Sequence, residues 1–125
     1  MRSDAICIDT NVLLYSLGGD KQITRFLQGK NLFASVMVRM EAMVYHGEKP
    51  DYLKEVREFL TLCEVVELTS EIQDAAVEIR IKHKLKLPDA VIAATAQSLS
   101  LPLVTADGRF ERLRDEIKLL RLRKK

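Results

Sequence analysis

Short apolar segments alternate along this chain with longer segments of helical periodicity, and this alternation limits the possible folds most strongly. Five apolar segments have the length of strands: 5–8, 31–35, 63–68, 101–105 and 117–122. Between them, apolar residues recur at intervals of three and four, as on one face of a helix. Such alternation is typical of a parallel sheet covered by helices. We therefore predict an α/β protein, a three-layer α/β/α sandwich with a mostly parallel central sheet of four to five strands.

The length of the chain, 125 residues, is enough for one domain with a hydrophobic core, and no repeat or linker divides it. We therefore predict a single domain over residues 1–125. No apolar segment is long enough to span a membrane, and Arg2 and Asp4 precede only four apolar residues, which is not the pattern of a signal peptide. Cys7 and Cys63 are far apart and form no CxxC motif, so we expect free thiols and a cytoplasmic location.

The charged and metal-binding residue types exclude some partners and leave others open. The net charge of +2 is too small to indicate a partner. Basic residues are concentrated after residue 112, where a solvated chain end is favoured over a phosphate-binding patch. The histidines and cysteines do not have the spacing of a zinc site. We interpret His46 as the last residue of a helix that Gly47 ends. We expect Asp51 to cap the next helix, and Thr69 or Ser70 to cap the one after the third predicted strand.

An acidic residue, Asp9, follows directly after the first predicted strand. Thr10 or Asn11 is expected to cap the helix that begins there, because both side chains can accept a hydrogen bond from the free N–H groups of a helix start. Asp9 therefore lies at the carboxyl edge of the predicted sheet, where open α/β proteins build their sites. Taken alone, Asp9 fits a turn or capping residue as well as it fits a functional carboxylate.

Three further acidic residues are expected near the same edge. Asp107 follows the fourth predicted strand, Glu41 lies in the helix after the second, and Asp89 lies in the first turn of the most apolar helix. Each alone has a structural explanation, as a turn residue, a helix surface residue or an acid at a helix N-terminus. Together, clustered carboxylates repel one another and need a cation or raised pKa values. Oxygen ligands favour Mg²⁺ or Mn²⁺, which also bind phosphates, so the cluster indicates phosphoryl chemistry.

Four motifs, taken in order, resemble those of PIN-domain ribonucleases, and most closely those of the small VapC-type toxins of toxin–antitoxin pairs. The resemblance covers nearly the whole chain and rests on these segments: Ile8-Asp9-Thr10-Asn11-Val12-Leu13, Ser35 with Glu41 following, residues 89–96, and Val104-Thr105-Ala106-Asp107 with Phe110. The chain departs from the family at Ser100, where relatives often have glycine. It also carries Gly108-Arg109 in a segment that varies among relatives.

The resemblance implies a divalent-metal-dependent endoribonuclease. The acidic residues of the family correspond to Asp9, Glu41, Asp89 and Asp107. Three of them, Asp9, Asp89 and Asp107, are then expected to hold one or two Mg²⁺ or Mn²⁺ ions, with Glu41 as a direct or water-mediated ligand. The family's hydroxyl and amide residues near the site correspond to Thr10, Asn11 and Thr105.

The same resemblance implies partners. The substrate would be RNA, whose backbone Arg109 and Arg112 could contact. VapC-like toxins usually form homodimers and are blocked by a protein antitoxin, which covers the acidic cleft and often presents a basic side chain to it. The segments 21–28 and 36–45 carry the apolar residues that such contacts would need.

Two alternatives to the nuclease remain. One is a non-catalytic PIN-like module that binds RNA or protein, which a metal-dependent nuclease assay would distinguish. The other is a haloacid-dehalogenase-like phosphatase, which also places an acid after the first strand but requires a second Asp two residues later, where this chain has Asn11. A nucleotide-binding protein is not indicated, because neither GxGxxG nor GxxxxGK[ST] occurs.

Overall fold

In the computed structural model, which describes residues 4–45 and 49–122, five parallel strands form the central sheet. The strands are β1 (Ala5–Ile8), β2 (Asn31–Ser35), β3 (Cys63–Val66), β4 (Leu103–Thr105) and β5 (Leu119–Arg121). They lie in the order β3-β2-β1-β4-β5, and every neighbouring pair is parallel. The prediction of an α/β fold with a mostly parallel sheet of four to five strands is confirmed.

Helices connect the strands. Within the described ranges they are α1 (Thr10–Leu17), α2 (Lys21–Leu27), α3 (Val36–Tyr45), α4 (Pro50–Leu60), α5 (Ser70–His83) and α6 (Leu87–Leu99). A short 3₁₀ turn, Glu111–Leu113, which the sequence pattern did not predict, precedes β5. Helix α6 is buried continuously over residues 89–96, as its apolar sequence predicts, and it packs against α5 and contacts α3. Helix α1 packs against α2, α3 and β4.

Strand β1 lies in the middle of the sheet, between β2 and β4, and all four of its residues are buried. Its last residue, Ile8, is paired in register with Val104 of β4. The residues that follow this pair, Asp9 and Thr105, are consequently brought side by side at the carboxyl edge of the sheet. Both are fully buried.

Two of the predicted helix caps are wrong. Asp9 itself caps α1, since its Oδ1 accepts a hydrogen bond from the backbone N–H of Val12 at 2.9 Å. Thr10 and Asn11 are already inside the helix, so their side chains are available for other contacts. We also expected Asp51 to cap α4, but the cap position is Lys49, with no side-chain hydrogen bond, and Asp51 lies in the first turn.

The end of α6 adopts a strained backbone conformation. Ser100 caps the helix with φ +55°, in the left-handed region that favours glycine because a Cβ atom is crowded there. Its backbone N–H donates to the last carbonyls of the helix, including that of Gln97 at 3.1 Å. Glycine would adopt this conformation without strain.

Three strands are shorter than the apolar segments that predict them, since pairing covers only part of segments 63–68, 101–105 and 117–122. Cys7 is buried and Cys63 half-buried, and both are free thiols, as expected. The proposed helix end at His46 and Gly47 lies outside the described residues. In the part of the chain that the structure describes, no helix is long and apolar enough to cross a membrane.

Candidate active site

Asp9 is the most buried of the four candidate acids, with no exposed surface. Its Oδ1 serves as the cap of α1, and its Oδ2 accepts a hydrogen bond from the Thr105 hydroxyl at 2.6 Å. Burial raises the pKa of Asp9 to about 6, although the Thr105 and Val12 hydrogen bonds and the charge of Arg109 oppose the rise. Each carboxylate oxygen still has a lone pair beyond the bond that it accepts. Asp9 is therefore a fixed, desolvated carboxylate whose two oxygens each keep a lone pair that could bind a cation.

Asp107 is held by three hydrogen bonds just after β4. Its backbone N–H donates to the Thr105 hydroxyl at 3.3 Å, so Thr105 links it to Asp9. Its Oδ2 accepts from Asn11 Nδ2 at 3.0 Å, and its Oδ1 accepts from the backbone N–H of Arg109 at 2.9 Å. Asn11 and Thr105, both predicted near the site, thus fix the position of Asp107.

Glu41 enters the site from α3. Its Oε1 accepts a hydrogen bond from the Thr10 hydroxyl at 2.6 Å, across the contact between α1 and α3. Thr10 is buried, and Glu41 is partly exposed. The third predicted orienting residue therefore also contacts one of the predicted acids.

Asp89 lies in the first turn of α6 and is almost fully buried. Burial raises the pKa of Asp89; the negative charges of Glu41 and Asp107 raise it further, while Arg109 and Lys86 lower it. The repulsion shows that the three carboxylates share one region. A hard divalent cation would relieve this repulsion, and the all-oxygen donor set matches the ligands that Mg²⁺ and Mn²⁺ prefer.

One cationic side chain already contacts two of these acids. The Arg109 guanidinium lies 3.5 Å from Asp89 Oδ1 through Nη1 and 3.3 Å from Asp107 Oδ2 through Nε. Among the described residues, no three acidic, histidine or cysteine side chains come together as a ready-made metal-binding group. Hydrogen bonds and the two Arg109 ion pairs thus connect five of the seven predicted residues: Asp9, Asn11, Asp89, Thr105 and Asp107. Thr10 and Glu41 form a separate pair beside them, and the charge of Glu41 acts on Asp89.

A groove that the sequence pattern did not predict opens beside Glu41. It has a volume of about 740 Å³ and is lined by Thr10, Glu41 and Arg109 together with apolar residues of α3, among them Met40 and Val44. These two side chains are 44% and 80% exposed. The helical spacing of apolar residues in α3 could not reveal this exposure, because the same spacing is typical of a buried face.

A family model matches residues 6–116 and is described as the PIN domain. The chain belongs to the PIN domain family. The match confirms the predicted family, and it covers all four acids and the residues that contact them. A sequence search of the curated proteins found no match.

Solved structures of similar fold include chains of toxin–antitoxin complexes. One, a toxin–antitoxin complex from Klebsiella pneumoniae, is 27% identical with a TM-score of 0.80, and the alignment covers 92% of this chain and 95% of that one. The DNA-bound VapBC from Salmonella typhimurium is 23% identical, with a TM-score of 0.81 and coverage of 94% and 97%. VapBC2 from Rickettsia felis, bound to a promoter DNA fragment, is 16% identical, with a TM-score of 0.84 and coverage of 94% and 98%. The predicted resemblance to VapC-type proteins is confirmed.

Proposed function

We propose that this PIN domain is a divalent-metal-dependent endoribonuclease and the toxin of a toxin–antitoxin pair. The observation that carries the proposal is the placement of four acids near the end of the central strand of a PIN fold. Asp9, Asp107 and Asp89 are joined through Thr105 and Arg109, and Glu41 is held beside them by Thr10. Burial raises the pKa of Asp9 and of Asp89, and placing such acids in the protein interior costs stability, which is typical of functional sites.

The chain's own residues would divide the work as follows. Glu41 would offer carboxylate oxygens at the groove that it lines, and Asp89 and Asp107 would offer theirs where Arg109 now contacts them. Asp9 would offer the remaining lone pairs of a buried carboxylate that two hydrogen bonds hold in place. Thr105, Asn11 and Thr10 each donate to one acid and so hold the oxygens in place. A bound Mg²⁺ or Mn²⁺ would lower the pKa of water and offset the negative charge of an RNA phosphodiester.

The similar structures and the exposed surface of α3 support two protein partners for this chain. The similar structure from Klebsiella pneumoniae is a toxin–antitoxin complex, and those from Salmonella typhimurium and Rickettsia felis are VapBC proteins bound to DNA. We propose that this chain likewise binds a protein antitoxin, and that it forms a homodimer. The exposed side chains of Met40, Val44 and Tyr45 on α3 support a protein-binding surface there. The free thiols of Cys7 and Cys63 support a reducing cytoplasm.

One observation favours a second candidate, a PIN domain that binds RNA or protein without cutting. Arg109 contacts Asp89 and Asp107, and the described acids do not form a ready-made metal-binding group. The phosphatase alternative, by contrast, loses support. Asn11 stands where that chemistry needs an acid, and its amide donates to Asp107.

A nuclease assay with a matched variant tests the proposal. Wild-type protein should cleave single-stranded RNA with Mg²⁺ or Mn²⁺ and lose cleavage in EDTA. Asp89→Asn should lower the rate by at least about 100-fold, because it removes a charged oxygen ligand. Asp115→Asn makes the same chemical change at an exposed residue outside the network and should leave the rate unchanged.

Cleavage by Asp89→Asn at the wild-type rate would refute the assignment of the acids. RNA binding by the wild type without cleavage under any of these metals would favour the non-catalytic module.

A further inference from the structure

Arg109 occupies a distinctive place in the acidic site. Within the described ranges it is the one Lys or Arg side chain that forms an ion pair with any of the four acids. Its two contacts use different nitrogens, Nη1 to Asp89 and Nε to Asp107, so one planar guanidinium spans both carboxylates. These acids are separated by 18 positions in the sequence and belong to different elements. Arg109 therefore connects them as a cation would.

The local chain holds Arg109 in this place. Its backbone N–H donates to Asp107 Oδ1 at 2.9 Å, which forms a turn around the acid itself. The next residue, Phe110, is fully buried and anchors the backbone, and the guanidinium lies 5.3 Å from the centre of its ring. The side chain is still 38% exposed, so it can leave the acids without disturbing the core.

The contacts of Arg109 are those that a metal ion would have to take over. Asp89 and Asp107 are two of the three proposed main ligands, and a divalent cation and a guanidinium compete for the same oxygens. Arg109 is partly exposed, and ion pairs of exposed arginine side chains are weak, so the guanidinium can be displaced.

We infer that Arg109 is an internal counter-cation, which competes with the divalent metal for Asp89 and Asp107 and so sets how tightly the site binds metal. The inference rests on the proposed metal-dependent function. With no metal bound, Arg109 keeps the carboxylates together and offsets their charge. When metal binds, the guanidinium leaves both acids for the groove, which it also lines.

Metal binding to the full chain, without RNA, tests this inference. Mn²⁺ is titrated into wild type and variants, and the free ion is measured by electron paramagnetic resonance. Arg109→Gln should bind Mn²⁺ about five- to tenfold more tightly, because two weak ion pairs no longer compete. Arg114→Gln removes the same charge from a residue that pairs with Glu111, outside the site, and should bind like wild type. Arg109→Lys, which keeps the charge but loses the planar fork, should fall between them.

The possible results separate the inference from the function. Unchanged or weaker binding in Arg109→Gln, with binding lost in Asp89→Asn, would overturn the inference and leave the metal site intact. If Arg109→Gln and Arg114→Gln both bind Mn²⁺ more tightly to the same extent, the effect comes from net charge alone, and the inference is also overturned. Absence of Mn²⁺ binding in every variant, with no RNA cleavage, would refute both. If Arg109→Gln is unfolded by circular dichroism, the decision rests on Arg109→Lys, which must bind Mn²⁺ more tightly than Arg114→Gln.

Discussion

Replacing Asp9 with Asn should change how the stability of the protein depends on pH. The pKa of Asp9 rises from 3.8 to about 6 on folding, mainly because burial removes water from the carboxylate. Between these pH values the folded protein holds a proton that the unfolded chain has lost. The free energy of unfolding therefore falls as the pH rises through this window. Asn cannot ionise, so the variant lacks this contribution.

The size of the effect follows from the same two values. Over the complete titration of Asp9, the rise of its pKa from 3.8 to about 6 changes the free energy of unfolding by about 3 kcal/mol. Titration is incomplete at pH 4, so the free energy of unfolding of wild type relative to Asp9→Asn should fall by about 2–3 kcal/mol between pH 4 and pH 7. Asn has nearly the shape of Asp, and its oxygen can still accept from the Val12 N–H while its amide donates to the Thr105 hydroxyl. The substitution therefore changes charge with little change in packing.

Urea unfolding in EDTA at pH 4 and pH 7 measures this difference. Asp115→Asn is the control, since it removes an exposed carboxylate and should keep the pH dependence of wild type. The reasoning is refuted if the difference between wild type and Asp9→Asn is the same at both pH values to within about 0.5 kcal/mol, an ordinary error of such measurements. The same variant should also lose RNA cleavage, so a gain in stability at neutral pH would accompany a loss of activity.

Two further substitutions test contacts that the structure defines. Thr105→Val removes the donor to Asp9 Oδ2 and should lower the free energy of unfolding by about 1.5–3 kcal/mol at pH 8, but less at pH 4.5, where Asp9 is protonated. Equal losses at both pH values in urea unfolding would contradict this contact with the ionised carboxylate. Ser100→Gly should raise the free energy of unfolding by about 0.5–1 kcal/mol, because Ser100 has a left-handed backbone. The control Gln97→Gly, inside α6, should lower it by about 1 kcal/mol in the same assay, and destabilisation by Ser100→Gly would show that no strain is relieved.

The sequence predicts the elements well because their signals are local. Alternating strands and helices, the buried face of α6 and a hydroxyl cap of α5 from Thr69 or Ser70 all depend on residues within a few positions of one another. The four acids were found for the same reason, since each lies close to a strand end or in a helix near one. The wrong cap of α1 marks the limit of such signals. Asp9, Thr10 and Asn11 are all good capping residues, and only the backbone conformation shows which one lies before the helix.

Contacts between distant residues could not be predicted from such patterns. The Arg109 pair with Asp89 and the exposure of Met40 and Val44 both depend on how α3, α6 and the segment after β4 lie in space. An apolar residue at helical spacing looks the same whether its neighbour is the core or an open groove. An arginine beside an acid in the sequence likewise does not show which other acid it reaches.

The sequence by itself determined that this chain forms a parallel sheet with acids at its strand ends. The strand order β3-β2-β1-β4-β5 was decided only by the tertiary structure. That order places β1 against β4 and so brings Asp9 within 2.6 Å of Thr105, a residue 96 positions away. The periodicity of apolar residues predicts which side chains are buried, but it does not predict which strands are neighbours. Backbone hydrogen bonding does not decide this either, because it is the same between any two strands. The choice of neighbours therefore comes from the packing of all the helices and strands at once.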